Sequence, residues 1–436
     1  MTYTVTGSLG SSFPDLQTSG IALLYRIVQG NVLDGFQAEC EEYQLAKRLK
    51  KFDLNASARN VSAPIDIARQ GYGSFIAEGN YESVPKTTSP KELTFGWGQY
   101  NDRYSFTILA QIFDQKQRES QIMRQAKFQT RKTLEGLKNR YGYSFYGDPS
   151  GVMCYTSTVQ TSSSGVYALT AGFGNTAITD TTYLGNMFVA GDYVTLVRSS
   201  TAVSNGIGGQ IISVSNTSGL TIAWSGSVIS AANDKIVMAN SAPVASTATL
   251  THSDFNHAPD GMQGFCFATV VHSLSGSANP LWNPSLSDVN AGSLTGTRLK
   301  KAVHAISNFG GGTPNLLIWA QGVERNVHQN TFSQVKFDDP LGMQVIGSVK
   351  TGGWRQHTSR KVPPGFAYVA ADESLYKWIP SGMMPDGNEG SLESMENSTV
   401  DKLQDLNAKV AGFDLIFNHV CTRRADLAVF TGLQGS

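Results

Sequence analysis

The sequence is short of charged residues. Asp, Glu, Lys and Arg make up 16% of its 436 residues, against about 25% in an average soluble domain. Acidic and basic residues are equal at 34 each, so the formal net charge is zero. Few charges and no net charge give a protein little repulsion from its own copies. This composition favours a protein covered by neighbours over a freely diffusing enzyme.

Cysteine is also scarce, and its spacing excludes a redox or zinc motif. No two of the four cysteines lie close enough in sequence for a CxxC pair, and we expect reduced, buried thiols. No basic and apolar leader opens the chain, and no run of about 18 apolar residues occurs. We therefore expect neither secretion nor a membrane span. The cysteines are Cys40, Cys154, Cys266 and Cys421.

Motifs of catalysis are missing as well. The sequence contains no GxxxxGK[ST] phosphate loop, no HExxH zinc motif and no GxSxG nucleophile elbow. Residues 206–209, which are rich in glycine, lie between short predicted strands, where a turn explains them better than a nucleotide loop. His252 and His257, with Asp254 between them, form the one local cluster, and we do not expect it to bind metal. We predict no catalytic residue, no metal and no cofactor.

The first third of the chain predicts a helical arm, a long hairpin and a basic helix. Residues 16–52 repeat apolar positions with helical spacing, and residues 1–71 form the predicted arm, with irregular chain from Pro64 to Gly73. Residues 72–108 predict a β-hairpin whose outgoing arm is 72–84 and whose tip, 85–91, carries two prolines and two lysines. Loops of that length are usually functional.

A helix is predicted over residues 109–141. Eight basic residues stand against three acidic ones on this single element of a neutral protein. A solvated helix face is the ordinary explanation of such a run. A surface that faces phosphate groups is the functional alternative. With the residues up to 154, this helix forms the predicted third segment of the chain.

Composition changes abruptly near residue 155. From 156 to 250 only five charged residues occur, and short strands alternate with turn residues rich in Gly, Ser and Thr. This pattern predicts an all-β inserted domain over residues 155–251, either a small barrel or a sandwich. The strands are expected near 165–167, 193–197, 210–214, 220–224 and 235–238.

The remainder predicts a mixed α+β region. Helices are expected at 294–309 and 323–332, and strands at 316–319, 345–346, 366–369 and 375–378. A short helix at 398–410 and strands at 413–417 and 427–431 close the chain. We divide this part into residues 252–380 and 381–436.

The order of these elements resembles the tailed-phage major capsid protein family, with its Hong Kong 97-type fold of N-arm, extended loop, spine helix, peripheral domain and axial domain. The resemblance covers essentially the whole chain and depends on order, because each local string is weakly specific. The strings that carry it are residues 188–194, 260–264 before 282–284, 312–318, 340–345 and 362–369.

The resemblance implies function for two sets of residues. The extended loop would lie over an adjacent subunit, and the spine helix would face packaged DNA or acidic groups of a neighbour. The loop residues are Lys86, Lys91, Trp97, Tyr100 and Tyr104, and the helix residues are Arg124, Lys127, Arg131 and Lys132. Some relatives form a Lys–Asn crosslink from such a loop, but no residue here identifies the acid it needs, so we do not predict it.

The resemblance also implies partners and a location. We expect hexamers and pentamers of the chain in a virion capsid, assembled in the host cytoplasm around non-specifically bound double-stranded DNA. No long charged helical segment precedes the arm, so a separate scaffolding protein is expected, with a removed prosegment as the alternative. A decoration protein is a further candidate partner. The alternatives are a β-rich tail or adhesin protein, an encapsulin-like compartment shell, and an enzyme with an unrecognised site.

Overall fold

A computed structural model describes the part of the chain that contains the sheets. The described residues are 49–51, 60–66, 90–107, 136, 139–156, 160–161, 166–169, 171–172, 187–203, 206–215, 219–224, 226, 228–231, 233–239, 253, 255–332, 354–378, 401–402 and 408–434.

Twenty-four strands and four α-helices follow one another along these residues. The strands are β1 Lys50–Lys51, β2 Val61–Ile65, β3 Lys91–Phe95, β4 Gly98–Thr107, β5 Val152–Thr156, β6 Gln160–Thr161, β7 Val166–Leu169, β8 Ala171–Gly172, β9 Tyr193–Arg198, β10 Thr201–Ala202, β11 Gly209–Ser215, β12 Gly219–Ala223, β13 Ile229–Ser230, β14 Lys235–Ala239, β15 Val270–Val271, β16 Leu274–Ser275, β17 Leu286–Asp288, β18 Leu316–Ala320, β19 Arg355–Ser359, β20 Ala367–Ala370, β21 Leu375–Trp378, β22 Asp401–Lys402, β23 Ala408–Cys421 and β24 Leu427–Phe430. The helices are α1 (residues 139–146), α2 Met262–Phe267, α3 Gly296–Phe309 and α4 Gln321–Phe332.

A five-stranded mixed sheet organises the largest core. Its order is β17-β24-β20-β18-β19, and helices α2, α3 and α4 contact it. Every residue of β18 is buried, because its apolar run leaves no polar face for solvent. The predicted strands at 316–319, 366–369 and 427–431 and the predicted helix at 323–332 are confirmed to within a few residues.

Helix α3 begins and ends where its sequence indicates. The hydroxyl of Thr295 accepts the Arg298 N–H at the first turn, which satisfies one of the free donors there. At the other end Gly311 has φ +76°, a conformation that glycine adopts without strain. The helix predicted at 294–309 is therefore confirmed.

A second sheet is built on the long strand β23. Residues 408–417 of β23 pair with β4, and residues 418–421 pair with β21, which in turn pairs with β1. The predicted helix at 398–410 is therefore wrong, since 401–402 and 408–410 are strand. The end of the predicted helix at 16–52 is wrong too, since Lys50–Lys51 is strand. Pairing with neighbouring strands outweighs local helical spacing in both places.

Between β1 and β4 in the chain lies a separate antiparallel strand pair. We use the name extended loop for this pair and residues 96–97, after the segment predicted at 72–108. β2 pairs with β3 from Val61 opposite Phe95 to Ile65 opposite Lys91. The partner of residues 91–95 thus lies before the arm predicted at 72–84, and Pro64 belongs to a strand and not to irregular chain. A strand tolerates proline where the missing N–H is not needed by its partner. Residues 72–84 and the predicted tip at 85–89 lie outside the described residues.

The β-rich segment forms a closed barrel. Its strands run in the order β7-β12-β11-β9-β14-β5-β8, and every pair is antiparallel. β7 and β8 lie at opposite ends of this order, yet one residue, Thr170, separates them in sequence. A sheet whose two ends are one residue apart must close on itself. The five strands predicted here are confirmed, and β5 begins at Val152, slightly before the predicted boundary at 155.

The barrel has an aliphatic interior. The alternating residues Val194 and Leu196 of β9 face the buried residues Leu220, Ile222 and Ile236 of other strands. On the opposite face of the barrel wall, Val197 and Val237 are fully buried against Phe255, which follows the barrel in the chain. The wall is therefore covered on both sides where it meets the returning chain.

Candidate interface at the base of the extended loop

The structure places some of the predicted site residues. Lys91 is exposed at the start of β3, Trp97 lies between β3 and β4, and Tyr100 and Tyr104 lie in β4. In the register of β4 with β23, Tyr100 is opposite Leu415 and Tyr104 is opposite Ala411. Lys86 and the four basic residues Arg124, Lys127, Arg131 and Lys132 lie outside the described residues.

Trp97 and Phe95 connect the loop to the body of the subunit. The Trp97 ring stacks on Trp378 at 5.7 Å between ring centroids, and Phe95 meets the same ring edge-on at 6.0 Å. Val61, Leu93 and Phe95 are buried together with Trp282, Trp378 and Val420 of the body. One face of the β2–β3 pair therefore rests on the body, as the alternation of buried and exposed residues along both strands requires.

A three-residue segment, Pro259–Asp260–Gly261, lies between the loop and the end of α1. We call it the wedge. A Cβ on Gly98, the first residue of β4, would come within 2.6 Å of Pro259 Cδ. A Cβ on Gly261 would meet the carbonyl oxygens of Ser144, Phe145 and Gly147 at the end of α1. At both positions an added Cβ would lie too close to backbone atoms of the neighbouring segment, so only glycine fits on either side of the wedge.

Asn418 joins the wedge to the loop by hydrogen bonds. Its Nδ2 donates to Gly96 O at 2.7 Å and to Asp260 Oδ2 at 2.9 Å. Its Oδ1 accepts the Asp260 N–H at 2.7 Å and the His419 N–H at 2.8 Å. The side chain is 2% exposed, and its two donors and two acceptor positions are all used. Such a group specifies one arrangement of its neighbours.

His272 holds the same region from the other side. Its backbone carbonyl accepts the Thr94 N–H at 3.0 Å, and its ring lies 5.3 Å from the Phe95 ring. Nε2 accepts the Cys421 N–H at 3.2 Å, so this nitrogen carries no proton. In the neutral ring the proton is then on Nδ1, which lies 3.5 Å from Asp260 Oδ2.

His419 ties the wedge to α1. Its Nδ1 lies 2.7 Å from the carbonyl oxygen of Asp260, which can only accept, so Nδ1 donates. Nε2 of the neutral ring then accepts from the Tyr141 hydroxyl at 3.1 Å. Asn418, His419 and Asp260 therefore form one hydrogen-bonded network between the loop, helix α1 and strand β23, and the His272 ring lies beside it. We call these four residues the joint.

Burial keeps both histidines of the joint uncharged. It lowers the pKa of His272 to about 3, with a further contribution from the Arg424 guanidinium, and it lowers the pKa of His419 to about 4. Burial, opposed by the Asn418 hydrogen bond and assisted by the charge of nearby Asp148, raises the pKa of Asp260 to about 6. Near neutral pH the rings are neutral, in agreement with the hydrogen bonds that they make.

Arg424 lies beside the joint and is 1% exposed. Its guanidinium donates to the carbonyl oxygens of Phe265 and Ala268 at 2.7 and 2.8 Å. Burial raises the pKa of the neighbouring Cys266 thiol to about 12, and that of Cys421 higher still. These thiols are therefore protonated and unreactive. Cys154, Cys266 and Cys421 are free and buried, as predicted, and Cys40 lies outside the described residues.

Sequence reasoning missed the joint. Asp260 and His272 are separated from Asn418 and His419 by about 150 residues, so no motif joins them. One signal was present: Asn418 and His419 interrupt the apolar run at residues 415–421 of β23. Within the described ranges, no group of three His, Cys, Asp or Glu side chains is arranged to hold a metal. The described helices also include none with the length and apolar character needed to cross a membrane.

No family model and no curated protein sequence matches this chain, but solved structures do. A chain of the cyanophage A-1(L) capsid asymmetric unit superposes with a TM-score of 0.53 at 10% identity, over 92% of this chain and 95% of that chain. The capsid of an empty GTA particle gives 0.47 at 7% identity, over 93% and 100%. The SrpI encapsulin of Synechococcus elongatus gives 0.44 at 8%, over 95% and 96%.

The two sheets, with a strand pair anchored on them at the joint, define the class of the chain as a capsid-type subunit fold. More narrowly, the chain has the fold of the tailed-phage major capsid proteins, as the sequence resemblance predicted. At 10% identity the cyanophage likeness concerns the fold alone.

Proposed function

We propose that this chain is a major capsid protein that self-assembles into the icosahedral head shell around packaged double-stranded DNA. The observation that carries the proposal is the likeness to a cyanophage capsid subunit over 92% of this chain and 95% of the other. The role is structural and not enzymatic. Its location is the virion, after assembly in the host cytoplasm.

The extended loop is the proposed contact with the next subunit. Its β2–β3 strands leave the body as a pair whose outer face is exposed at Ser62, Pro64 and Glu92, and Lys91 is exposed at the end of the pair. Lys86, Lys91, Trp97, Tyr100 and Tyr104 are the proposed contact residues. Many such contacts, repeated by symmetry in hexamers and pentamers, give a stable shell although each is small.

The basic helix is the proposed DNA-facing surface. Arg124, Lys127, Arg131 and Lys132 would neutralise phosphates without reading sequence. Changing all four to Gln should leave the shell intact and lower its DNA content or its retention of DNA in salt. The alternative is that these four residues contact acidic residues of a neighbouring subunit. In that case the same variant should fail to form a shell.

The barrel is the proposed inserted domain. The strand that enters it, β5, pairs with the strand that leaves it, β14, with Val152 opposite Val237. The main chain therefore departs and returns at neighbouring points, which is typical of a domain inserted into a host fold. A separate scaffolding protein and a decoration protein are further proposed partners.

Negative-stain electron microscopy of the expressed full chain tests the main proposal. Closed shells, tubes, or stable hexamers and pentamers are expected, with size-exclusion chromatography measuring their mass. The proposal is wrong if the chain stays monomeric also when the proteins encoded beside it, a scaffold among them, are expressed with it. Shells that hold protein cargo and no DNA would instead indicate an encapsulin-like compartment.

A further inference from the structure

Beside its apolar contacts with Trp282, Trp378 and Val420, the extended loop is hydrogen-bonded to the body at the joint. There the loop contributes the Gly96 carbonyl and the Thr94 N–H, the wedge contributes Asp260, and β23 contributes Asn418. Asn418 is buried, Thr94 and Asp260 are half-buried, and each hydrogen bond crosses from one element to another. The joint therefore fixes how three elements lie relative to one another.

We propose that Asn418 and the wedge form a latch that sets the direction in which the loop leaves the subunit and couples that direction to the end of helix α1. The latch is a conformational device of the single chain. Its effect on a shell rests on the proposed function, but its existence does not.

Hydrogen bonding supports the latch because both donors and both acceptor positions of the Asn418 amide are used. One Nδ2 hydrogen goes to the loop at Gly96 O and the other to the wedge at Asp260 Oδ2. Tilting the loop away leaves a donor unpaired in a buried place, which costs free energy on the scale of a lost hydrogen bond. The loop therefore has one preferred direction while Asn418 is in place.

Close packing supports the coupling to α1. Gly98 touches Pro259 on the loop side of the wedge, and Gly261 touches the Ser144, Phe145 and Gly147 carbonyls on the helix side. Three residues with no free space on either side transmit a displacement, since packed interiors deform little. His419, which bonds both Asp260 O and the Tyr141 hydroxyl, adds a second connection between wedge and helix.

A pair of glycine substitutions tests the latch. Gly98→Ala would place its Cβ 2.6 Å from Pro259 Cδ, whereas a Cβ at Gly96 would have nothing within 4 Å. The two variants make the same chemical change two residues apart, so Gly96→Ala is the matched control. The reporter is hydrogen–deuterium exchange at the Thr94 amide, whose N–H is bonded to His272 O in the body and not to β2.

We expect Gly98→Ala to speed exchange at Thr94 by about tenfold or more, because local opening replaces global unfolding as the route of exchange. In Gly96→Ala the Thr94 amide should exchange at the wild-type rate. The Ala320 amide, bonded to Phe366 O in the main sheet, should keep its protection in both variants. Equal rates at Thr94 in the two variants would overturn the latch, as would equal loss of protection at Thr94 and Ala320.

A second pair of variants acts from the body side. Asn418→Asp is isosteric but replaces the donor with an oxygen that faces Gly96 O and Asp260 Oδ2, so Thr94 exchange should again rise about tenfold. Asp260→Asn keeps an acceptor for Asn418 and should leave Thr94 protected. Slow exchange of the Thr94 amide in folded Asn418→Asp would contradict the latch. Electron microscopy of the same variants reports on the shell separately, so the two proposals can fail independently.

Discussion

The barrel and the joint are held together in opposite ways. The barrel spans residues 152–239, closes its own sheet and fills it with aliphatic side chains. Its one charge pair among the described residues joins Arg198 to Asp234 at 2.7 Å. The joint instead gathers two buried imidazoles, a buried amide and the half-buried Asp260 carboxyl beside a buried guanidinium. The barrel is built for stability, whereas the joint is built to specify one arrangement.

This difference follows from what each kind of contact can do. Apolar burial contributes about 25 cal/mol per Å² but has no direction, so it stabilises many similar packings almost equally. A buried polar network contributes little net stability, yet it penalises any arrangement that leaves a member unpaired. Such specificity matters at the base of the loop, because the direction in which the β2–β3 pair leaves the body determines where the far end of the loop lies.

The largest loss of stability is expected from a substitution in the interior of the barrel. Leu196 is fully buried in the barrel core, and Leu196→Ala should lower the free energy of unfolding by about 2–5 kcal/mol through lost burial and a cavity. Chemical denaturation followed by circular dichroism measures it, with amide exchange in β9 and β14 reporting on the barrel. A loss below about 1 kcal/mol would mean that the barrel is not an independently packed core.

Acid should weaken the joint and spare the barrel. The pKa values of His272 and His419 are about 3 and 4 in the fold against 6.5 in the free side chain, so stability is lost as pH falls below 6.5. The pKa of Asp260 is raised from 3.8 to about 6, so between these pH values Asp260 binds a proton in the folded state only. This uptake offsets the proton that one of the histidines binds in the unfolded state only. The net difference of about one proton gives a loss of roughly 1.4 kcal/mol per pH unit between pH 6 and 4.

Urea titrations across that pH range measure this slope, with exchange at Thr94 reporting on the joint. Residues 155–251 contain no histidine, so amides of β9 and β14 should show no comparable loss of protection before the protein unfolds as a whole. A stability that is flat from pH 6.5 to 4.5 would contradict the assignment of neutral buried rings.

The barrel's ion pair should give a smaller effect, and an unequal one for its two members. Asp234 is 2% exposed and accepts from Arg198 and from the Ala231 N–H, so Asp234→Ala should cost about 1–3 kcal/mol. Arg198 is half exposed, and Arg198→Ala should cost less than about 1 kcal/mol. Denaturation midpoints of both variants give the comparison, and equal losses would contradict the burial argument.

The smallest effect is expected on the exposed face of the loop. The Ser62 and Thr94 hydroxyls lie 3.2 Å apart across β2 and β3 in solvent. Ser62→Ala should change the free energy of unfolding by less than about 0.5 kcal/mol, because water replaces the lost partner. A loss above 1 kcal/mol would show that this bond, and not the joint, holds the strand pair.

Sequence patterns predicted the regular parts of the fold and missed the pairings between distant segments. The barrel strands, α3 and β18 follow from local periodicity, and they were placed within a few residues. The helix predicted at 398–410 failed because β4, some three hundred residues away, supplies β23 with a partner. The arm predicted at 72–84 was displaced for a related reason, since β3 pairs with residues 61–65.

The same contrast between local patterns and distant pairings applies to the residues at the base of the loop. Trp97 was singled out by its place in a loop, and it does lie at the loop's base, stacked on Trp378 of its own chain. Asp260 and Asn418 have no sequence motif, because their roles arise only when the wedge and β23 come together. Local chemistry identifies surfaces and cores, but buried polar networks require the tertiary structure.

The paired ends of the barrel have a further consequence for how the chain can be altered. The main chain leaves at β5 and returns at the adjacent β14, so the span between the two attachment points is about one strand spacing. A substitute domain of any size, provided that its termini lie side by side, would satisfy the same two attachment points. Residues 156–235 are therefore a natural position for grafting a foreign domain onto the chain.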